Sequence, residues 1–228
     1  MCMFVNVSRE TFLDLIWRHS LMSAKLFHVK QFLKQTKDFL SPDSELPDSI
    51  NMLEEYLELL IKWNKKIDLV SPAMSEVLIE RHFQDSYAAC LLLGNELGGS
   101  RTCLDVGSGA GLPGVVFAIL KPEAKFFLCE PREKRQIFLR EVVARLGLKN
   151  IELLHSRLED LERDRKYDLV CSRALGMQEQ FLALSRELLS PRGRICQLLG
   201  PSWKGEADKI IEYQLYGGGP QRKLAFWT

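Results

Sequence analysis

The residues best suited to bind a small ligand form a glycine-rich stretch near the middle of the chain, LDVGSGAGLPG (104–114). Its last six residues fit the pattern G-x-G-x-x-G, in which glycines allow a tight turn and a close approach of ligand to backbone. The stretch contains the end of an apolar run that predicts a strand. The pattern alone leaves two ligands open: a dinucleotide with a negative pyrophosphate, or S-adenosylmethionine with its positive sulfonium.

Charge near the glycines helps to separate these two ligands. Asp105 lies two residues before the first glycine. Two like charges about 5 Å apart at an effective dielectric constant near 20 repel by about 3 kcal/mol, so this residue is expected to repel a pyrophosphate. Pro113 is expected in the first turn of the following helix, where it removes one N–H group that a phosphate could use. Both features favour S-adenosylmethionine, which carries no phosphate.

Two further acidic residues follow predicted strands. Glu130 ends the run KFFLCE, and a carboxylate there can accept hydrogen bonds from both ribose hydroxyls of an adenosine. Glu159 follows the third predicted strand, where its side chain or a backbone amide can contact the adenine. Each residue alone is also compatible with a solvated helix cap. Because acidic residues end three successive strand units, we favour a shared ligand site.

The elements that must position these residues alternate along the second half of the chain. Six short apolar runs predict strands, at 102–106, 125–130, 150–155, 167–172, 194–199 and 222–227. Helical patterns between them cover about 113–120, 132–146 and 178–189. This alternation predicts an α/β fold with a mostly parallel sheet and helices on both faces. The glycines then lie at the carboxyl end of the first strand, where doubly wound sheets bind ligands.

The first half of the chain has a helical pattern instead. The stretch SPDSELPDS (41–49) predicts a linker or turn, one amphipathic helix follows up to about Trp63, and a second runs from about Met74 to Leu93. We therefore divide the chain into an N-terminal helical extension packed on the core (1–99) and a Rossmann-like core (100–228).

Composition limits the function classes further. The 228 residues carry a formal charge of only +1, so local basic patches would have to hold a nucleic-acid partner. The six cysteines include no C-x-x-C pair, so we expect buried free thiols and no metal site. Charged residues interrupt the apolar N-terminus, which predicts neither a signal peptide nor a membrane span and favours a cytoplasmic protein.

Four motifs in a fixed order resemble those of a known family: LDVGSGAGLPGVVFAI, EPREKRQIFLREV, LGLKNIELLHSRLED and YDLVCSRAL. The family is that of the bacterial small-subunit (16S) ribosomal RNA 7-methylguanosine methyltransferases, also called glucose-inhibited division protein B. The upstream LIKWNKKIDLVSP and ERHFQDS are similar to its N-terminal signature. The resemblance covers about residues 30–200 and is specific, because several separate motifs keep their mutual spacing.

This resemblance implies a class I methyltransferase fold that uses S-adenosylmethionine to methylate a guanosine near the decoding region of the small subunit. It places six residues in the cofactor site: Gly107, Leu112, Glu130, Leu158, Glu159 and Arg173. His82 and Asp85 match the family's R-H-x-x-D-S motif and are expected to shape the cofactor or substrate opening. The implied partner is small-subunit ribosomal RNA or the small ribosomal subunit, bound by a monomer that needs no membrane.

The implied reaction makes modest demands on the protein. N7 of guanine has a free lone pair, so no strong general base is needed to activate it. The protein must instead align the nitrogen, the methyl carbon and the sulfur, which is catalysis by proximity. We therefore name no catalytic nucleophile or base, and expect Arg173 to organise the site at the end of the fourth strand.

The sequence departs from the family at several positions, which leaves RNA binding less defined than cofactor binding. Leu199 stands where the family has lysine, Asp68 stands where it has asparagine, and the short region after Gly200 predicts a trimmed last hairpin. Basic patches remain at 121–149, with eight Lys or Arg against four Glu, and at KWNKK (62–66), beside a tryptophan. Two alternatives stay open: an NAD-type oxidoreductase, and a ribosome-associated binding module that has lost catalysis.

Overall fold

The computed structural model describes most of the chain, in the ranges 46–67, 69, 76–97, 99, 101–173, 178–215 and 220–228. Expectations for the first 45 residues, for Asp68 and for the start of the second helix before residue 76 lie outside these residues. Residues 42–228 form one compact unit. The division of the chain at residues 99 and 100 stays a prediction.

One sheet of seven strands organises the described residues. The strands are β1 (Thr102–Val106), β2 (Lys125–Cys129), β3 (Ile151–Leu154), β4 (Tyr167–Arg173), β5 (Leu189–Leu199), β6 (Lys209–Gln214) and β7 (Gln221–Trp227). Their order is β3-β2-β1-β4-β5-β7-β6; the first five are parallel, and β7 is antiparallel to both of its neighbours. The antiparallel β7 departs from the 3-2-1-4-5-6 order of the common dinucleotide fold, which weakens the oxidoreductase alternative.

Five α-helices lie among these strands in the described part of the chain. They are α1 (Leu46–Asn64), α2 (Glu76–Leu93), α3 (Gly114–Leu120), α4 (Glu133–Leu146) and α5 (Gln178–Arg186). Short 3₁₀ turns follow at Gly94–Leu97 and Leu158–Asp160. None of the helices within the described ranges is long and apolar enough to span a membrane.

The two faces of the sheet are covered by different helices. Strand residues alternate between the faces, so Asp105 of β1 points to the opposite face from Leu104 and Val106. Helix α3 begins against the Asp105 face, and α1, α2 and α4 lie on that side with it. Phe181 of α5 packs with Leu104 and Val106 on the other face. The expected fold class, a mostly parallel sheet with helices on both faces, is therefore confirmed.

Three boundaries differ from the expectations. Helix α1 begins at Leu46, inside the expected linker, because proline at the second helical position needs no N–H partner. Strand β5 begins at Leu189 rather than 194, with an irregular register opposite β4. The last hairpin is not trimmed, since β6 pairs with β7 over six residue pairs.

Candidate functional site

The predicted site residues gather at the carboxyl ends of four adjacent strands. Gly107 follows β1, Glu130 follows β2, the turn with Leu158 follows β3, and Arg173 ends β4. The strand order reverses between β1 and β4, and this is where open parallel sheets bind their ligands. The sheet thus brings the six predicted cofactor residues to one edge.

The glycine loop, defined here as residues 107–113, takes a conformation that only glycine adopts readily. Gly107, Gly109 and Gly111 have φ angles of 70°, 57° and 88°. The N–H groups of Gly107 and Ser108 both donate to the carbonyl of Cys129 at the end of β2. Among the described residues no hydrogen bond uses the carbonyl oxygen of Gly107. The loop therefore offers a free backbone acceptor to a ligand above β1.

Asp105 lies beneath the glycine loop rather than beside the ligand, which corrects the expected reason for excluding a phosphate. Its carboxylate is buried and accepts a 3.0 Å hydrogen bond from the Gly114 N–H, the first amide of α3. The next amide, that of Val115, donates to Gly111, and Pro113 has none. The first two amides of α3 are thus occupied, which leaves fewer donors to hold a pyrophosphate.

Burial also changes the charge of Asp105. It raises the pKa of the carboxyl from 3.8 to about 7, against the hydrogen bond from Gly114 and the positive charge of Arg173. Near neutral pH this group is therefore partly protonated. The occupied amides of Gly114 and Val115 therefore count against a dinucleotide more than charge repulsion does.

Glu130 ties the glycine loop to the end of β2. Oε2 accepts a 2.9 Å hydrogen bond from the Gly109 N–H, and Oε1 accepts one of the same length from the Arg132 N–H. Arg135 Nη1 lies 3.6 Å from Oε2, and the Glu130 side chain is only 3% exposed. A solvated cap is therefore excluded. An ionised carboxylate has about four acceptor positions, so capacity remains for ligand hydroxyls.

The other predicted contacts differ in exposure. Leu112 and Leu158 are buried, and Leu158 belongs to the core cluster on the α5 face. The Glu159 side chain is 47% exposed, 3.7 Å from Arg157. Among the described residues, no hydrogen bond uses the N–H of Leu158 or Glu159. These two amides, rather than the Glu159 carboxylate, are therefore available to a ligand at the end of β3.

Tyr56 of α1 is a site residue that the sequence did not reveal. It is fully buried, and its hydroxyl donates a 2.7 Å hydrogen bond to the carbonyl of Ala110 in the glycine loop. In the sequence, an aromatic residue at helical spacing gives the same pattern whether it packs in a core or hydrogen-bonds to a loop. No signal in the sequence separates these two roles, because the two residues are 54 positions apart.

Arg173 lies in a buried polar group that we call the arginine cluster: His82, Asp85, Arg173, Tyr213 and Arg222. Tyr213 donates a 2.5 Å hydrogen bond to Oδ1 of Asp85, and Arg222 Nε lies 3.7 Å from Oδ2. Burial lowers the pKa of Arg173, and the Asp85 charge opposes this. Tyr213 and Arg222 were not predicted, because they come from the hairpin that was expected to be trimmed.

His82 is neutral in this cluster. Burial, together with the charges of Arg173 and Arg222, lowers its pKa from 6.5 to about 3. Burial raises the pKa of Asp85, and the hydrogen bond from Tyr213 and the charge of Arg222 oppose this. Sequence reasoning placed His82 and Asp85 at the opening of the site, and the structure brings them together with Arg173.

Comparison with known proteins agrees with this geometry. A family model described as rRNA small subunit methyltransferase G (GidB) matches residues 49–214. A protein named ribosomal RNA small subunit methyltransferase G from Yersinia pseudotuberculosis is 41% identical over 157 residues, covering 68% of this chain and 74% of that protein. One of the same name from Desulfotalea psychrophila is 36% identical over 190 residues, covering 75% and 86%. The chain therefore belongs to the rRNA small subunit methyltransferase G family.

Proposed function

We propose that this protein transfers the methyl group of S-adenosylmethionine to N7 of a guanosine in small-subunit (16S) ribosomal RNA, near the decoding region. The observation that carries the cofactor assignment is the glycine loop between Asp105 and Glu130. The first two amides of its helix are occupied, whereas no hydrogen bond among the described residues uses the Gly107 carbonyl. Such a loop suits a ligand with a cationic amine and no phosphate.

The residues at the strand ends fit the parts of this cofactor in order along the sheet. Glu130 on β2 would hold the ribose hydroxyls, and the amides of Leu158 and Glu159 after β3 would meet the adenine. The methionine end then extends the other way, over Gly107 and Leu112 toward β4. There the Gly107 carbonyl would accept from the ammonium, and Arg173, whose buried Nε has no hydrogen-bond partner among the described residues, would hold the carboxylate.

The protein's own part in the reaction is positioning. When bound, the cofactor supplies an electrophilic methyl group on a positive sulfur. The N7 lone pair needs no deprotonation, so the chain has to fix the guanine in line with that group and exclude water.

The basic segment 121–149 divides between the two edges of the sheet. Lys121 and Lys149 precede β2 and β3, so they lie at the edge opposite the glycine loop. Arg132 and Lys134 follow β2 at the cofactor edge, are exposed, and take part in no ion pair among the described residues. These two are the residues of the segment best placed to contact RNA phosphates.

Several of the segment's other cations are already neutralised. Lys125 pairs with Glu152, Arg140 with Glu133, and Arg145 with Glu55. The net positive charge counted along the segment therefore overstates its electrostatic attraction for RNA. We infer that a monomer acts in the cytoplasm on the small subunit or its RNA, and that the shape of the particle complements these few contacts.

Methyl transfer to small subunits that lack their modifications tests the function. Labelled methyl groups should appear on one guanosine, and mapping should identify 7-methylguanosine. Cofactor binding without transfer to any RNA would favour a binding module that has lost catalysis. Binding of NAD in place of S-adenosylmethionine would favour the oxidoreductase.

A Glu130→Ala variant tests the cofactor site. Loss of the carboxylate removes the loop tie and the ribose acceptor, so affinity for S-adenosylmethionine should fall by roughly 1–3 kcal/mol. Glu133→Ala is the matched control, since Glu133 is 59% exposed on the first turn of α4 and pairs only at the surface. Equal affinities in the two variants would remove Glu130 from the site.

A further inference from the structure

Unpartnered polar atoms are concentrated in the arginine cluster. Six buried side-chain nitrogen or oxygen atoms of the described residues have no hydrogen-bond partner, and four of them belong to His82, Arg173 and Arg222. They are both ring nitrogens of His82 and the Nε atoms of the two arginines. Buried polar atoms are nearly always paired in native proteins, so such a concentration indicates a ligand that supplies the partners.

The register of the sheet places the two arginines on one face at the cofactor edge. Arg173 is opposite Leu198 of β5, and Leu198 is opposite Leu224 of β7. Directly opposed residues share a face, and Arg222 is two residues before Leu224 on the same strand. Helix α2 covers this face with His82 and Asp85, which are three residues apart and share one side of the helix.

The charges in the cluster favour oxygen acceptors. Arg173 and Arg222 are positive, Asp85 is negative, and His82 is neutral. Asp105 also faces Arg173, but its raised pKa leaves it partly protonated near neutral pH. The cluster therefore keeps a positive charge and N–H donors that make no hydrogen bond among the described residues, although Arg222 Nε lies 3.7 Å from Asp85 Oδ2. Such donors match a phosphate oxygen or a carbonyl oxygen.

The order of the strands divides this cluster between two ligands. Arg173 ends β4, next to β1 and the glycine loop, where the methionine end of the cofactor would lie. Arg222 is on β7, two strands further from the loop, beyond β5. Its side chain keeps 15% exposure, so part of it is accessible from the surface.

We propose that His82 and Arg222, held by Asp85 and Tyr213, form a receptor for an oxygen of the target guanosine, either its phosphate or O6 of its base. This inference rests on the proposed function. Arg222 would donate to the oxygen, and the neutral His82 ring would donate from one nitrogen. Asp85 and Tyr213 are positioning residues, because they fix Arg222 from α2 and β6 without reaching the ligand.

His82→Leu is the sharpest variant for this proposal. The side chain of His82 has no hydrogen-bond partner among the described residues, so an apolar replacement leaves no group unpaired and should keep or raise the melting temperature. The KM for unmodified small subunits should nevertheless rise about tenfold. The Kd for S-adenosylmethionine, measured without RNA, should not change.

Arg222→Gln and Arg222→Lys distinguish the two oxygens. Arg222→Gln should raise the KM for the subunit at least about tenfold, again without changing the cofactor Kd. If the oxygen belongs to a phosphate, the slope of log affinity against log salt falls by about one and Arg222→Lys restores part of the affinity. If the oxygen is O6 of the base, the salt slope is unchanged and Arg222→Lys restores little of the affinity. Arg192→Gln, an exposed arginine at the start of β5, is the matched control.

Two results would overturn the receptor. Equal losses of cofactor affinity and subunit affinity in His82→Leu would assign the cluster to the methyl donor. Unchanged KM values for the subunit in both His82→Leu and Arg222→Gln would leave the cluster without a substrate role. Failure of the proposed function is separate from both, since then the unaltered protein itself would transfer no methyl group to the small subunit.

Discussion

The hydroxyl of Tyr56 holds the carbonyl oxygen of Ala110, so a helix outside the sheet fixes the apex of the glycine loop. The neighbouring Gly111 has no room for a side chain. A Cβ atom there would lie 2.5 Å from Val115, 3.1 Å from Leu139 and 3.2 Å from the same hydroxyl. Side chains from helices α1, α3 and α4 thus surround one backbone position, and the shape of the glycine loop depends on all three helices.

Removing the Tyr56 hydroxyl should loosen this loop. In Tyr56→Phe the buried Ala110 carbonyl loses its donor, and we expect S-adenosylmethionine to bind about 1 kcal/mol more weakly, or roughly fivefold. Isothermal titration calorimetry measures the change. Tyr167→Phe is the control, because Tyr167 begins β4 at the opposite edge of the sheet and should leave the cofactor Kd unaltered. A wild-type Kd in Tyr56→Phe would argue against the role of α1.

A methyl group at Gly114 should disrupt the start of α3. A Cβ atom there would lie 2.3 Å from Leu128 and 2.6 Å from Oδ2 of Asp105, so either the helix or the carboxylate must move. We expect Gly114→Ala to lower stability by about 1–3 kcal/mol in urea denaturation. Gly147→Ala, whose Cβ meets nothing within 4 Å, should lose only about 1 kcal/mol from its left-handed backbone. The reverse ranking would contradict the close packing at Gly114.

Asp105 should make stability depend on pH. Its pKa is raised from 3.8 to about 7 in the folded protein, so the folded state holds the proton more tightly and stability is lost as pH rises through this range. Asparagine can still accept from the Gly114 N–H but cannot ionise. The stability of Asp105→Asn relative to the unaltered protein should therefore grow between pH 4 and 7, by up to about 4 kcal/mol, and level off above.

Asp105→Asn and the unaltered protein must be compared at each pH, because His82 changes the stability with pH in the opposite direction. Its pKa falls to about 3 on folding, so its contribution rises as pH increases toward 6.5. That contribution is the same in both proteins and cancels in the difference. Asp168→Asn serves as the control. The pKa of Asp168 is lowered, so the difference in stability between Asp168→Asn and the unaltered protein should stay constant from pH 5 to 8. A constant difference for Asp105→Asn as well would refute the raised pKa.

Basic residues at the carboxyl ends of the strands should affect RNA binding more than those at the amino ends. Replacing Arg132 and Lys134 together by glutamine should weaken binding to the small subunit about tenfold and reduce the salt slope by about two. Replacing Lys121 and Lys149 together removes the same charge from the opposite edge and should change neither quantity. Filter binding at several salt concentrations measures both pairs. Equal losses would mean that the net charge of the segment matters more than its position.

The predictable part of the fold came from local apolar runs. Strands β1, β2 and β4 are mostly buried, and β3 is a short half-buried run, so the positions of all four follow from their apolar residues almost to the residue. Strand β6 was missed, because Lys209 and Glu212 interrupt it and most of its side chains are exposed at the sheet edge. Such a strand exists because β7 pairs with it, and pairing is not visible in local composition.

The site residues also divide into those that the sequence predicts and those that depend on long-range contacts. Glu130 was predicted from its place at the end of a strand, and Gly107 and Arg173 from the family resemblance; parallel topology brings these strand ends together. Asp105 was expected close to the ligand, but its carboxylate lies beneath the glycine loop and binds Gly114, a direction that the sequence does not specify. Tyr56 and Arg222 depend on contacts between distant parts of the chain, and their residue types are equally common in cores and on surfaces.

The hydrogen bond between Tyr213 and Asp85 joins residues 128 positions apart and has a consequence for folding. Strands β1 to β4 precede the hairpin of β6 and β7 in the sequence, and their ends carry the glycine loop, Glu130 and Arg173. The glycine loop can therefore take shape from these strands and their helices, whereas Arg222 reaches Asp85 only once β7 has paired with β5. The part of the site that we propose for the second substrate thus depends on contacts between more distant parts of the chain than the glycine loop does.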